Sequence, residues 1–316
     1  MMDHSIQHIS LIALSNPSTD AIVKAIGQAC RSHGFFAVTG HGIPEPVIAS
    51  AFTASKQFFD LDEPFKQSLH INQSTCHRGF DPIGWQALDL SQSSAAQPDL
   101  KESFYVGTLP QKNSTRAVPN HGANQWPSTS VLPAFRTAIS AYSDLVNLLA
   151  LRLMRLIAQS LGSTPTAFDS AMQYPTTTTR LLHYPPQAGV GASAIGSGAH
   201  TDWGALTILA QDDAGGLEVR LRDDRWVAVA PQPGALIINT GDLMQRWTND
   251  LYRSSWHRVV NRHADRARYS IAHFFDLDHF AVVDTLSCCI TADNPKKYAP
   301  IVAGEYIMAM YRRTTV

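Results

Sequence analysis

The chain has 316 residues, 44% of them apolar and 16% charged, with a formal net charge of −1. That composition supports a sizeable core and excludes a disordered chain, and the near-neutral balance excludes a basic nucleic-acid or anionic-membrane surface. No basic leader with a long apolar run opens the sequence, and the richest apolar stretch, 145–157, is broken by Asn147, Arg152 and Arg155, so a cytoplasmic protein without a membrane partner is expected.

The spacing of Ile22, Ile26, Ala29 and Cys30 predicts a helix over 18–34, capped at Ser18 or Thr19 and closed by Gly34. FFAVTGHG (35–42) predicts a short strand, and Pro44 opens a second helix carrying Val47, Ile48, Ala51, Phe52 and Phe59. A loop over 78–85 precedes a low-complexity linker, SQSSAAQ (91–97), and ESFYVG (102–107) predicts a strand. Residues 111–130, rich in Pro, Asn and Gly, predict a long surface loop. A long helix is expected over 132–161, with Phe135, Ile139, Tyr142, Leu145, Leu149, Leu153 and Leu156 on one broad face and Gly162 at its end.

Beyond Gly162 the texture changes. RLLHY, ALTILAQ, LEVRL, WVAVA, ALIINT, HRVV and RYSIAHFF are short strand-like runs separated by turn residues, the pattern of an antiparallel sandwich or barrel. The fold class expected is α+β with a mostly β core, divided into a helical and mixed N-terminal region (1–130) and a backing helix plus β core (131–316). Cys30, Cys76, Cys288 and Cys289 form no CxxC pair, and free buried thiols are expected.

In GSGAHTDWGALT (196–207), His200 and Asp202 stand one residue apart where a strand is expected to begin. Alternate residues of a strand share a face, so an imidazole nitrogen and a carboxylate oxygen are presented together. A third ligand to a divalent metal must then come from later in the strand-rich half. His263 sits in a polar turn, and His273 has the wrong strand parity relative to Arg268 and Ser270; His257, at the head of HRVV, is favoured on position. Two imidazoles and one carboxylate are the ligand set of non-haem Fe(II) oxygenases. Arg268 and Ser270 share a strand face and form a fork suited to a carboxylate.

HTD at 200–202, His257 and the triplet Arg268-Tyr269-Ser270 resemble the iron and 2-oxoglutarate signature of the isopenicillin N synthase-like oxygenases, here read as a bacterial member. CRSHGFFAVTGHGI (30–43), HRGFDPIG (77–84), DLKESFYVG (99–107), RLLHYPP (180–186) and NTGDLMQRWTND (239–250) extend the resemblance, in order, over nearly the whole chain. The resemblance implies a double-stranded β-helix, or jelly-roll, and an oxygenase that hydroxylates, desaturates or cyclises a small molecule while 2-oxoglutarate and O₂ become succinate and CO₂. It implies Fe(II) on His200, Asp202 and His257, the distal carboxylate of 2-oxoglutarate on Arg268 and Ser270, and Tyr184 in the co-substrate pocket. Leu182 and His183 depart from the Asn and Tyr of many plant relatives, and the presence of Asp202 argues against halogenation. The alternative is an oxidase of the isopenicillin N synthase type, in which Arg268 holds the substrate carboxylate and 2-oxoglutarate is not used. A zinc hydrolase and a non-catalytic sensor are further readings. Toward the substrate, Phe274 is expected to line the cavity by strand parity, and Arg78 to reach an anionic substrate group. Asp242, Trp247 and Asn249 are read as structural.

Overall fold

A computed structural model describes residues 9–88, 98–111, 117–187, 195–261 and 263–314; the predicted 91–97 linker and part of the 111–130 loop lie outside these. The N-terminal part contributes β1 (Ser10–Ala13), α1 (Thr19–Ser32), β2 (Phe35–Thr39), α2 (Glu45–Phe59), α3 (Glu63–Gln67), β3 (Gly79–Asp81) and β4 (Glu102–Gly107). The backing helix α4 (Phe135–Ser160) leads into β5 (Pro175–Tyr184), β6 (Ser197–His200), β7 (Leu206–Gln211), β8 (Leu217–Arg220), β9 (Trp226–Ala228) and β10 (Leu236–Thr240). Short α5 (Asp242–Trp247), β11 (His257–Val259), β12 (Arg268–Asp278) and α6 (Ala303–Thr314) follow.

Two sheets carry the site. The larger runs β1-β2-β10-β7-β12-β5-β4-β3, and the smaller runs β6-β11-β8-β9. All their pairings are antiparallel except β1 with β2, and the crossing order of sequence-distant strands is that of a jelly-roll. Strands from the N-terminal part extend the major sheet at both edges, so the core strands β7, β12 and β5 lie in its interior.

Strand β12 shows how alternation builds the two faces. Ile271, Phe275 and Leu277 join the core packed on α4, whose Tyr142, Val146, Leu149 and Leu153 are buried. Ala272 and Phe274 belong to a second cluster between the sheets, with Leu182, Tyr184, Leu217, Val219 and Val259. Arg268 and Ser270 share that inner face. His273, of opposite parity, points to α4: Nδ1 lies 2.9 Å from Thr179 Oγ1 and Nε2 lies 3.0 Å from Asn147 Oδ1.

Burial pulls the His273 imidazole down to about 3. The unfolded imidazole binds a proton near pH 6.5, so this group's contribution is complete above that pH and is lost as pH falls toward about 3. Urea unfolding of wild type is therefore expected to lose on the order of 1 kcal/mol per pH unit more than His273→Gln between pH 6 and 4. Parallel pH profiles for the two proteins would contradict this.

Several features depart from the sequence reading, among them β3, a short strand paired with β4 inside the stretch expected to be a loop over 78–85. His200 ends β6 instead of opening a strand, and Asp202 lies in the connection to β7. The backbone curves there because the Asp242 N–H bonds the Asp202 carbonyl at 2.8 Å, holding it beside α5. Strand β1 and helix α6 were not foreseen, the first being four residues with one buried position and the second having a polar outer face. The cysteines are free, but Cys288 is exposed, since it sits on the outer side of a short 3₁₀ turn while Cys289 takes the inner one.

Candidate active site

The triad assembles where the two sheets meet. Strand β11 lies beside β6, with His257 opposite His200, and the two rings stand 4.3 Å apart. Asp202 Oδ1 lies 3.9 Å from His200 Nε2 and 3.6 Å from His257 Nε2. One ligand atom from each of the three residues falls within 4.8 Å of the others, the one such grouping of three found among the described residues.

The hydrogen bonds around the triad leave the correct atoms available. His200 Nδ1 donates to the Gly198 carbonyl at 2.7 Å, and His257 Nδ1 donates to the Ser255 carbonyl at 3.1 Å. With the proton held on Nδ1, each Nε2 keeps its lone pair toward the centre. Asp202 Oδ2 accepts from Thr207 Oγ1 and Asn239 Nδ2, both at 2.6 Å, which leaves Oδ1 facing the imidazoles. Burial, then His257, pulls His200 down to about 4, so the ring is neutral at pH 7. Burial opposes ionisation of Asp202, yet the two imidazoles with Asn239 and Thr207 hold its carboxyl below the usual range. Two neutral-nitrogen donors and one carboxylate on one side, with space on the other, fit a ferrous ion. Asn239 and Thr207 were missed in the sequence, although Asn239 sits in the quoted NTGD stretch. Asn239→Ala is expected to weaken Fe(II) binding tenfold to a hundredfold, read by competition titration with a chromophoric chelator. An unchanged affinity would show that this hydrogen bond does not orient the ligand.

Two narrow chambers meet at the triad and share Leu88, Arg180 and Phe274; broader grooves around His121 and Tyr174 lie on the outer surface away from it. In the first chamber, Arg268 is 1% exposed. Its Nε donates to the Gly215 carbonyl at 2.6 Å and its Nη1 to Ser270 Oγ at 3.0 Å. Its guanidinium lies over the Tyr184 ring at 4.8 Å from the centroid. Burial raises the Tyr184 phenol above its ordinary value, keeping it protonated. Among the described residues no carboxylate pairs with Arg268. Lys101, also buried here, is answered by Asp99, whose Oδ1 pins the Gly198 N–H of β6 at 2.8 Å.

The second chamber is walled by Trp203, Phe274, Ile307 and Tyr311, with Arg180 and Asp276 as its charged side chains beyond the triad and Gln86, Tyr105 and Thr201 as further polar ones. Phe274 thus faces inward, as its parity predicts. Arg78 does not line either chamber. Its buried guanidinium bonds the carbonyls of Cys76, His77 and Asn120, so the expected reach toward substrate is replaced by a structural role. Asp242 does more than close a turn, accepting from Thr201 Oγ1 at 3.2 Å and Tyr306 Oη at 3.0 Å beside the HTD segment. Trp247 stacks on Phe168, and Asn249 Nδ2 ties to the carbonyls of Cys289, Asn294 and Pro295.

A His-Asp-His face inside a jelly-roll, with a buried cation across the cavity, defines a non-haem iron oxygenase. Residues 6–129 match the family model described as the N-terminal region of non-haem dioxygenase in morphine synthesis, and residues 175–277 match that of the 2OG-Fe(II) oxygenase superfamily. A 2-oxoglutarate-dependent dioxygenase of Didymella fabae is 40% identical over 274 residues, covering 83% of this chain and 81% of that protein. Among solved structures, a full-length Neurospora crassa protein in complex with alpha-KG and thymine has a TM-score of 0.85 at 28% identity, covering 96% of each chain. A 2OG-Fe(II) oxygenase family protein from Caulobacter crescentus has a TM-score of 0.84 at 30% identity, covering 96% of this chain and 98% of that one. The chain belongs to the 2OG-Fe(II) oxygenase superfamily, in its isopenicillin N synthase-like branch. It is a 2-oxoglutarate-dependent dioxygenase, an oxidoreductase that uses Fe(II) and 2-oxoglutarate to act on a small molecule. No helix among the described residues is long and apolar enough to cross a membrane.

Proposed function

We propose that this enzyme hydroxylates a small molecule held in the Trp203–Phe274–Tyr311 chamber, with 2-oxoglutarate in the Arg268 chamber, and that it is a bacterial member of its family. The balance is one substrate C–H, one 2-oxoglutarate and one O₂ giving one C–OH, succinate and CO₂. The observation that carries the placement is Arg268: a buried guanidinium beside Ser270 and Tyr184, with no carboxylate paired to it among the described residues, on the same strand face as Phe274 and across the cavity from the triad.

Bound at His200, Asp202 and His257, ferrous iron supplies the electron transfer to O₂ that organic side chains cannot perform. The protein's own contribution is positional. Arg268 and Ser270 take the far carboxylate of 2-oxoglutarate through charge-assisted hydrogen bonds, and the Tyr184 ring fixes the guanidinium plane. Leu182, Leu217 and Val259 exclude water around the co-substrate. Phe274, at the junction of the chambers, directs the substrate C–H toward the triad. The Neurospora crassa protein holds thymine in its structure and JOX2 holds JA in another, which supports a compact organic substrate here.

The test is a screen of small-molecule substrates with Fe(II), ascorbate and O₂, reading succinate against hydroxylated product. Equimolar succinate and a product heavier by one oxygen are expected. Product formed with O₂ consumption but no succinate would overturn the assignment of Arg268 to 2-oxoglutarate.

A further inference from the structure

The second chamber contains a carboxylate that the mechanism above does not use. Asp276 lies two residues beyond Phe274 on the same face of β12 and lines the cavity beside Trp203 and Tyr311. Its seat is built for it, since a Cβ on Gly204 would overlap Asp276 Oδ1, so glycine at 204 is what lets the carboxylate lie against that backbone. The chamber's cationic wall group is engaged elsewhere through one nitrogen: Arg180 Nη2 bonds Asp81 at 3.1 Å, Gln86 at 2.8 Å and Ser103 at 2.8 Å, while its buried Nε has no partner among the described residues. Among the described residues no lysine, arginine or histidine pairs with Asp276, and its protein donor is the Ala205 N–H. Burial, with Asp202 nearby, pushes its carboxyl up to about 7, the behaviour of an acid lacking a counter-charge.

We propose that Asp276 is a specificity-determining residue that anchors the substrate by accepting a hydrogen bond from a nitrogen-borne N–H, cationic or neutral, while the apolar walls hold the remainder. A chamber lined by aromatic rings, with a carboxylate that has one backbone donor and no counter-charge among the described residues, selects ligands that bring a further donor, because a ligand without one leaves the carboxylate desolvated and under-paired. This inference rests on the assignment of the two chambers, and the experiment separates the two.

Wild type, Asp276→Asn and Asp276→Leu are loaded anaerobically with Mn(II), which supports no turnover, and with 2-oxoglutarate. Binding of uracil and butylguanidine is measured by calorimetry and thermal shift against 1,3-dimethyluracil and 2-hexanone, which lack the N–H. At least one donor probe is expected to bind wild type tenfold or more tightly than the probes without donors, and to lose at least tenfold in Asp276→Leu. A loss in Asp276→Asn for butylguanidine identifies a cationic group, and retention of uracil in that variant identifies a neutral one. Affinity for 2-oxoglutarate is expected to stay within twofold, and the ligand-free melting temperature to hold or rise, because a desolvated acid without a counter-charge has been removed. Equal binding of donor and donor-free probes, or unchanged donor binding in both variants, overturns the proposal. So does a lowered melting temperature with weakened 2-oxoglutarate binding, which is the result of a purely structural Asp276. Failure of wild type to bind 2-oxoglutarate at all would overturn the chamber assignment itself.

Discussion

Replacing Asp202 with alanine is expected to lower Fe(II)-dependent 2-oxoglutarate turnover by about a thousandfold or more. Disturbing a group that merely orients a metal ligand costs about ten- to a hundredfold, and removing a ligand exceeds that. Asp202 is the one anionic donor of the three, and it cancels part of the ferrous charge. The fold is expected to survive. The Thr207 hydroxyl and Asn239 amide lose their acceptor, at about 1–3 kcal/mol for unsatisfied buried donors, against a typical total of about 5–15 kcal/mol. Part of that is offset because Asp202 no longer carries a buried charge beside Asp276. Circular dichroism and metal titration on the same sample separate the two effects. A variant with native spectrum and turnover within tenfold of wild type would reject Asp202 as a ligand.

Arg268→Leu is expected to raise KM for 2-oxoglutarate by about a hundredfold or more, with kcat at saturation changed only a few-fold. Two charge-assisted hydrogen bonds, each worth about 1.5–3 kcal/mol, disappear from a chamber in which water is a poor substitute. They grip the far end of the co-substrate and are equally present in ground and transition states, so the loss falls on KM. Ser270→Ala removes one neutral donor and is expected to cost about tenfold or less, also in KM. Arg268→Lys is expected to recover little, because an ammonium cannot reproduce the fork or stack on Tyr184. A large fall in kcat at unchanged KM would mean that Arg268 acts elsewhere in the reaction.

What was readable in advance follows from what each signal encodes. The helix over Thr19–Ser32 and the long α4 carry apolar residues at helical spacing and clear end signals, and both form close to the expected bounds. Strand parity in RYSIAHFF separates Arg268, Ser270 and Phe274 from His273, because alternation is a local property of an extended chain. The HxD spacing pointed to the correct pair for an incomplete reason. His200 closes a strand, and Asp202 reaches the centre through a turn held by Asp242, a contact 40 residues away in sequence. Asn239, Thr207 and the Asp99–Lys101 pair were not legible, since their roles exist only once β10, β7 and β6 come together. Arg78 was misread because a lone arginine in a loop carries no sign of the carbonyls that will surround it. Asp276 continued a parity that stopped being followed at Phe274.

Anaerobic titration of the metal-free protein with Fe(II) in the presence of 2-oxoglutarate tests the central claim most directly. A weak visible absorption band is expected, saturating at one Fe(II) per chain, absent when 2-oxoglutarate is omitted and lost in His257→Ala. No band at saturating ligand, or an undiminished band in that variant, would contradict an iron centre built from His200, Asp202 and His257.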